Sequence, residues 1–169
     1  MKRKINEIIR VNQAGELGAI HIYKGQLAVL KKKTISKELN DMLEKEFTHY
    51  ETFNKLIIEY KVRPTALSPL WKIGAYGLGV VTAIMGEKAT MACTEAVEEV
   101  IINHYEEQTK YLKNKDKKLS KITKQFCKEE KEHLDLAKKF DTGSDFFHKA
   151  LKSTIKKISK IAIKVSEKV

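Results

Sequence analysis

Apolar residues recur every three or four positions along most of this chain, which is the spacing of amphipathic helices. The pattern predicts a first helix over Lys4–Leu30 and a second over Thr34–Tyr60. Both prolines lie in Lys61–Leu70, which we interpret as a loop. Two further helices are predicted over Lys88–Leu112 and Lys117–Phe140. We therefore expect an all-α protein built on four long helices.

Several residues mark the expected ends of these helices. Thr34 and Ser36 are candidate N-caps for the second helix, because their hydroxyl groups can accept hydrogen bonds from the first backbone N–H groups. Asn114-Lys115-Asp116 is the predicted turn before the fourth helix. Asp141-Thr142-Gly143 is expected to end that helix, since glycine readily adopts the left-handed conformation found there.

Residues 71–86 form an apolar, glycine-rich segment outside the four-helix plan. A membrane-spanning helix needs about 20 apolar residues, so this segment is too short and too rich in glycine to be a good candidate. We expect a buried or interfacial helix instead. Gly74, Gly77 and Gly79 would allow another backbone to approach it closely.

Residues 145–169 form a basic amphipathic tail. Its apolar residues fall on one helical stripe, and its lysines lie largely elsewhere on the helix. This pattern is typical of helices that lie on a membrane surface. It equally fits a fifth helix that packs on the bundle with a lysine-rich face in solvent, and the two interpretations are compatible.

The chain carries a formal net charge of +11. This charge either reflects a compositional drift toward lysine or indicates an anionic partner, such as nucleic acid or acidic lipids. Because lysine greatly outnumbers arginine and aromatic residues make up only 8% of the chain, base recognition and base stacking are poorly served. A membrane surface is therefore favoured, and a basic adaptor for nucleic acid is the weaker hypothesis.

The most informative feature is an internal repeat between residues 1–61 and 88–143. Each half contains, in the same order, a glutamate, a tyrosine, a glutamine, a turn and a Glu-x-x-His motif. The matched residues are Glu16, Tyr23, Gln26, Glu46 and His49 in the first half, and Glu98, Tyr105, Gln108, Glu130 and His133 in the second. A single match is common in a chain rich in glutamate, but the whole series is not expected twice by chance.

The repeated spacing predicts a metal site. Residues three apart share one face of a helix, so each Glu-x-x-His motif can aim a carboxylate and an imidazole at one point. With one more glutamate per half, the candidate ligands are Glu16, Glu46, His49, Glu98, Glu130 and His133. Four carboxylates and two imidazoles balance two divalent cations and suit iron or manganese better than zinc. This ligand pattern is that of ferritin-like di-iron proteins, so we predict that residues 1–169 form one ferritin-like four-helix bundle with a shared bimetallic centre.

Two of these assignments have a neighbouring alternative. Glu129 could pair with His133 in place of Glu130, but symmetry with the first half favours Glu130. Glu99 adjoins Glu98, and the offsets to the repeated tyrosine and glutamine favour Glu98. Glu99 would then point about 100° away around the helix, toward solvent or another helix.

Three aromatic or imidazole side chains are candidates for supporting roles. Tyr105 lies two helical turns after Glu98 on the same side, where it either transfers an electron or a proton near the metals or is a core tyrosine with a satisfied hydroxyl. Tyr23 is its counterpart in the first half. His104 either orients a metal ligand or faces outward.

Five stretches of the sequence match a known enzyme family. They are RVNQAGELGA at residues 10–19, IYKGQ at 22–26, MACTEAVEE at 91–99, HY at 104–105 and EEKEH at 129–133. On these residues the chain resembles the demethoxyubiquinone hydroxylases over nearly its whole length, and the family's metal ligands fall on the same six side chains. Asn12, where an aspartate is common, and Asn103, where a second histidine occurs, depart from the family pattern without touching a ligand.

The resemblance implies hydroxylation of the ring of a polyprenyl methoxy-benzoquinol, a step of ubiquinone biosynthesis. It implies two iron ions, O₂ and an external reductant. NADH and reduced quinone both stay open as reductants, because the chain has no glycine-rich dinucleotide motif. It also implies peripheral attachment to the cytoplasmic face of a bacterial inner membrane or to the matrix face of the mitochondrial inner membrane. Other ubiquinone-biosynthesis proteins and a lipid-binding accessory protein are candidate partners.

A long isoprenoid tail requires a pocket that opens toward lipid. The candidate channel or membrane-facing residues are Trp71, Tyr76, Leu78, Val81 and Met85. The lysines of the tail would hold the enzyme against anionic headgroups, at about 1 kcal/mol each. The alternative function is that of a ferritin-like or rubrerythrin-like iron-oxidising protein without an organic substrate, which would need neither the apolar segment nor the basic tail.

Overall fold

The computed structural model describes residues 1–140 and 142–169. These ranges contain six α-helices and no strand. The helices are α1 (Lys2–Leu30), α2 (Ser36–Glu59), α3 (Ser68–Ile84), α4 (Glu87–Leu112), α5 (Lys117–Lys139) and α6 (Phe146–Ser166). The predicted all-α class is confirmed. The helix order agrees with a ferritin-like bundle to which an apolar helix, α3, and a basic C-terminal helix, α6, are added.

The ends of the helices follow the sequence with two corrections. The N-cap of α2 is Ile35, with no side-chain hydrogen bond, so the prediction that Thr34 or Ser36 caps this helix is wrong. Helix α3 begins inside the predicted loop because Pro69 lies in its first turn, where the missing N–H of proline has no cost.

The fourth predicted helix begins and ends close to its expected bounds. Asp116 caps α5 by accepting a hydrogen bond from the Leu119 backbone N–H at 2.9 Å. Of the three residues predicted to end this helix, Asp141 lies outside the described residues. Gly143 has the positive φ of 75° that only glycine adopts without strain.

The described chain forms two compact units. The N-terminal unit comprises Lys2–Thr90 and Ile161–Val169, and the C-terminal unit comprises Met91–Lys160 with Met1. The first half of the predicted repeat falls in the N-terminal unit after Met1, and the second half falls in the C-terminal unit from Met91 onward. The organisation of residues 1–169 as one domain stays a prediction.

In the N-terminal unit, helices α1 and α3 approach each other closely through two glycines. A Cβ atom added at Gly79 would lie 2.1 Å from the Ile22 carbonyl oxygen, and one added at Gly25 would lie 2.3 Å from the Tyr76 carbonyl oxygen. Only glycine fits at these two positions, because the Cβ atom of any other residue would collide with the backbone of the other helix. The prediction that Gly79 allows close approach is therefore confirmed.

The same prediction is wrong for Gly74 and Gly77. Nothing lies within 4 Å of a Cβ atom added at either position. Both glycines belong to the face of α3 that is opposite Gly79, at about 100° of rotation per residue. That face carries exposed apolar side chains at helical spacing, namely Leu70, Ile73, Val81 and Ile84. Only three residues of α3 are buried, so the helix is not a buried core helix.

The C-terminal end of α6 is tied to the loop that precedes α3. The Arg10 guanidinium donates hydrogen bonds to the carbonyl oxygens of Arg63 at 2.9 Å and Glu167 at 3.2 Å. The indole N–H of Trp71 donates to the Ser166 hydroxyl at 3.0 Å. These bonds fix the last turn of α6 against the start of α3 within the N-terminal unit.

In the C-terminal unit, two lysines of α6 turn inward and form ion pairs with α4. Lys152 contacts the carboxylate of Glu95 at 3.1 Å and 3.3 Å, and Lys156 pairs with Glu99 one turn further along both helices. Ile155, which lies between these two lysines in the sequence, is fully buried. Helix α6 therefore packs on α4, and only its other lysines are left to face solvent or a membrane.

Candidate metal centre

The N-terminal unit brings together three of the predicted ligands. Glu16 comes from α1, and Glu46 and His49 come from α2. The His49 Nδ1 atom lies 3.7 Å from a Glu16 carboxylate oxygen and 3.9 Å from a Glu46 carboxylate oxygen. All three side chains are at most 2% exposed, and their candidate ligand atoms lie within 4.8 Å of one another. We call this set the N-terminal cluster.

The C-terminal unit contains the matching set, which we call the C-terminal cluster. Glu98 comes from α4, and Glu130 and His133 come from α5. The His133 Nδ1 atom lies 3.0 Å from a Glu130 oxygen and 3.8 Å from a Glu98 oxygen. These side chains are again at most 2% exposed, and their candidate ligand atoms lie within 4.8 Å of one another. Each unit thus repeats the same arrangement.

Local helix geometry explains why the sequence produces these clusters. In each Glu-x-x-His motif, the three-residue spacing stacks the carboxylate and the imidazole on one side of the helix. A helical hairpin, α1–α2 or α4–α5, then supplies the remaining glutamate from its other helix. Buried apolar side chains lie one turn away on the same helices, namely Ile20 after Glu16, Phe53 after His49 and Phe126 before Glu130.

The donor set of each cluster fits one divalent cation. Two carboxylates carry two negative charges, and an ionised carboxylate removed from water is strongly unfavourable unless it is paired or binds a metal. One divalent ion per cluster would balance this charge, with a neutral imidazole as a third ligand. Carboxylate and imidazole donors without thiolate suit iron or manganese.

The structure distinguishes the neighbouring glutamates that the sequence left open. Glu130 is fully buried in the C-terminal cluster, whereas Glu129 is half-buried and accepts a hydrogen bond from the Gln125 side chain at 2.9 Å. Glu99 lies away from the cluster, where it pairs with Lys138 and Lys156. The geometry therefore brings Glu98 and Glu130 to His133, as the repeat predicts.

The candidate supporting residues lie in different environments. Tyr105 is buried, and its ring meets Phe126 edge-on with the ring centres 6.5 Å apart. Tyr23 is also buried and donates its hydroxyl hydrogen to the Met42 sulfur at 3.6 Å. His104 is half-buried. Their roles in electron transfer, proton transfer or ligand orientation stay predictions.

The predicted channel or membrane residues are spread around α3. Tyr76, Val81 and Met85 are exposed, whereas Trp71 and Leu78 are half-buried. Trp71 is the residue that holds the end of α6 through Ser166. Their part in substrate access stays a prediction. In the described ranges, no helix has the length and apolar character needed to cross a membrane.

One polar network beside the N-terminal cluster was missed by the sequence analysis. Gln13 lies one turn before Glu16 on α1 and is buried, and its side-chain amide donates to Asn54 at 3.1 Å and Tyr50 at 3.4 Å. The only indication in the sequence was the position of these residues next to the candidate ligands. Gln13 lies on the same side of the helix as Glu16, about 60° away around the axis. Tyr50 follows His49 directly.

Comparison with known proteins identifies the family. The model of the family described as ubiquinone biosynthesis protein COQ7 matches residues 3–166. The chain belongs to the COQ7 family. Its clusters and its glycine-packed α3 are therefore features of a COQ7 chain.

Named relatives in this family come from eukaryotes and bacteria. The chain is 42% identical over 173 residues to the mitochondrial NADPH-dependent 3-demethoxyubiquinone 3-hydroxylase of Dictyostelium discoideum, covering 100% of this COQ7 chain and 80% of the relative. It is 42% identical over 166 residues to the 3-demethoxyubiquinol 3-hydroxylase of Rhodospirillum rubrum, covering 98% and 78%. It is 38% identical over 182 residues to the mitochondrial 5-demethoxyubiquinone hydroxylase of Saccharomyces cerevisiae, covering 98% and 78%.

Proposed function

We propose that this chain is a monooxygenase of ubiquinone biosynthesis that hydroxylates the ring of a polyprenyl methoxy-benzoquinol, a demethoxyubiquinol. The observation that carries the proposal is the pair of buried Glu and Glu-x-x-His clusters in a chain of the COQ7 family. The relatives' names give the same reaction class. An iron-oxidising protein without an organic substrate is not favoured, since the named relatives are hydroxylases.

Two iron ions are the proposed cofactors, one for each cluster. Glu16, Glu46 and His49 would hold one ion, and Glu98, Glu130 and His133 would hold the other. When bound, the iron would supply the activation of O₂ that places one oxygen atom on the ring, while two external electrons and two protons reduce the other oxygen atom to water.

The chain's own residues would set the conditions for this chemistry. Burial of all six ligands keeps bulk water away from the reacting atoms and strengthens local electrostatic interactions. The carboxylates offset the metal charge, and the two hairpins hold their ligands on rigid helices. Tyr105, which is buried, is proposed to transfer an electron or a proton near the metals, and Tyr23 is its buried counterpart in the first half.

Oxygen insertion into a short-chain demethoxyquinol tests the proposed function. The full chain, loaded anaerobically with Fe(II), is expected to incorporate one ¹⁸O atom from ¹⁸O₂ into the ring, as measured by mass spectrometry. NADPH, NADH and the quinol alone should be offered as reductants, because the D. discoideum relative is named NADPH-dependent and the R. rubrum relative is not. Iron oxidation without ring oxygenation under all three conditions would support the iron-oxidising alternative.

We also propose that the protein binds the surface of the membrane that holds its substrate. On α3, Ile73 and Ile84 are 75% and 71% exposed, and on α6 Ile158 and Ile161 are 52% and 61% exposed. Exposed lysines flank these α6 residues, namely Lys157, Lys160 and Lys164. Apolar side chains beside lysines are the pattern of a helix that lies in an anionic interface.

A triple substitution of outward-facing lysines tests this surface. Changing Lys157, Lys160 and Lys164 to glutamine is expected to weaken binding to phosphatidylglycerol vesicles about a hundredfold, since each lysine contributes about 1 kcal/mol near such a surface. Vesicle sedimentation measures the effect. The control changes the exposed Lys113, Lys117 and Lys121 to glutamine, with the same loss of charge. An equal loss in both variants would show that only net charge matters and would contradict the assignment to α6.

The proposed location follows from the substrate. A polyprenyl quinol is dissolved in the lipid, so the enzyme would work on the cytoplasmic face of a bacterial inner membrane or the matrix face of the mitochondrial inner membrane. Two of the relatives are named as mitochondrial. Other enzymes of ubiquinone biosynthesis and a lipid-binding accessory protein are the partners proposed to deliver and receive this apolar substrate.

A further inference from the structure

The amide oxygen of Gln13 is a buried hydrogen-bond acceptor that finds no donor among residues 1–140 and 142–169. Gln13 is 5% exposed, and within the described residues its Oε1 atom has no hydrogen-bond donor. Leaving such an atom unpaired costs stability, so buried acceptors are normally satisfied. A ligand with a hydrogen-bond donor could satisfy this acceptor.

The orientation of this amide is fixed by its neighbours. The Gln13 Nε2 group donates to the Asn54 Oδ1 atom and to the Tyr50 hydroxyl. The Asn54 Nδ2 group is directed to a Glu51 carboxylate oxygen at 3.4 Å, which leaves the Asn54 oxygen facing Gln13. The donor half of the Gln13 amide is therefore occupied, and only its acceptor half is available.

The acceptor lies beside the proposed reaction site. Gln13 precedes Glu16 by one turn, a rise of about 4.5 Å along α1, on the same side of the helix. Ile9 and Ile20, one turn before Gln13 and one turn after Glu16, are both buried. Along α1, the Gln13 amide and the Glu16 carboxylate therefore lie between two buried apolar side chains.

We propose that Gln13 Oε1 accepts a hydrogen bond from a ring hydroxyl of the quinol, so that this residue selects the reduced form of the substrate. This inference rests on the proposed function. A quinol carries hydroxyl donors on its ring, whereas the oxidised quinone carries only carbonyl acceptors, which an amide oxygen cannot bind. A buried polar group left unpaired by the wrong ligand is a strong source of discrimination. Asn54 acts as the positioning residue, because it holds the amide in the orientation that presents oxygen.

The test measures the ratio of quinol to quinone affinity. Dissociation constants of a short-chain methoxy-benzoquinol and its quinone would be determined anaerobically on the full, iron-loaded chain. The wild-type protein is expected to bind the quinol about tenfold more tightly, which corresponds to roughly one hydrogen bond. Gln13→Leu is expected to weaken quinol binding about tenfold, leave quinone binding unchanged and bring the ratio close to one.

A second variant separates recognition from folding. Asn54→Leu frees the Gln13 amide to turn and present its N–H groups, so quinone affinity is expected to rise while quinol affinity falls. If Asn54 had only a structural role, Asn54→Leu would weaken the binding of quinol and quinone together. The control is Gln26→Leu, another buried glutamine of α1 whose amide nitrogen bonds to the Thr90 carbonyl oxygen at 3.4 Å. Gln26 lies ten residues after Glu16, about 15 Å along the helix, so the ratio should stay at its wild-type value.

The outcomes distinguish this inference from the proposed function. If the wild-type protein hydroxylates the quinol but Gln13→Leu keeps the wild-type ratio, the role of Gln13 is refuted and the proposed function stands. If the wild-type protein binds neither ring, both are refuted. If Gln13→Leu does not fold, the opposite changes in affinity expected for Asn54→Leu decide the question.

Discussion

Glu130→Ala is expected to lower the rate of oxygen insertion at least a hundredfold and to reduce bound iron to about one ion per chain. Substitutions that only orient a metal ligand already cost about 10- to 100-fold, and Glu130 is itself proposed as a ligand. The side chain is fully buried beside His133. Helical content should stay unchanged in circular dichroism, since alanine has the highest helix propensity.

The neighbouring glutamate provides the control for this prediction. Glu129 is half-buried, contacts Gln125 and has the same charge as Glu130. Glu129→Ala is expected to keep its iron and its activity. The reverse result, with iron and activity lost in the Glu129 variant and kept in the Glu130 variant, would contradict the ligand assignment in the C-terminal cluster.

Gly79→Ala is expected to lower the free energy of unfolding by about 1 kcal/mol, the difference between the cost of overpacking and the gain in helix propensity. The new methyl group would lie 2.1 Å from the Ile22 carbonyl oxygen, and a backbone atom cannot turn away as a side chain can. Overpacking of this kind typically costs about 1–3 kcal/mol, which outweighs the gain of about 1 kcal/mol from replacing glycine by alanine in a helix. Urea unfolding followed by circular dichroism measures the difference.

Gly77→Ala is the matched control in the same helix. Nothing lies near its added methyl group, so only the helix propensity changes. The free energy of unfolding should therefore rise by about 0.5–1 kcal/mol. If both glycine variants shifted stability in the same direction, the close packing of α1 against α3 at Gly79 would be wrong.

Most of the local structure and the candidate ligands could be predicted from the sequence. Helical periodicity fixed α1, α2, α4 and α5 to within a few residues, because long amphipathic helices repeat their pattern over many turns. The candidate ligands could be predicted because a Glu-x-x-His motif has the same geometry in any helix. The doubled order of these motifs then selected Glu98 over Glu99 and Glu130 over Glu129, and the structure places both selected residues beside His133.

Features that depend on contacts between distant segments could not be predicted in this way. Gln13 was overlooked because its meaning depends on Asn54 and Tyr50, which lie on another helix and orient its amide. The lysines of the tail were expected to face solvent or a membrane surface, yet Lys152 and Lys156 form ion pairs with glutamates inside the C-terminal unit. A lysine has the same chemistry in both settings, so only its neighbours decide whether it pairs or faces outward.

The sequence by itself determined the helices, the repeat and the six buried ligand candidates, since these follow from spacing along a single helix. Tertiary structure alone decided which side of α3 is packed. Its three central glycines look equivalent in an apolar helix, but Gly79 lies against the backbone of α1 while Gly74 and Gly77 lie open. The physical reason is that the spacing of glycines along a helix does not show which of them another helix will contact. Only the packed structure shows on which side the second backbone lies.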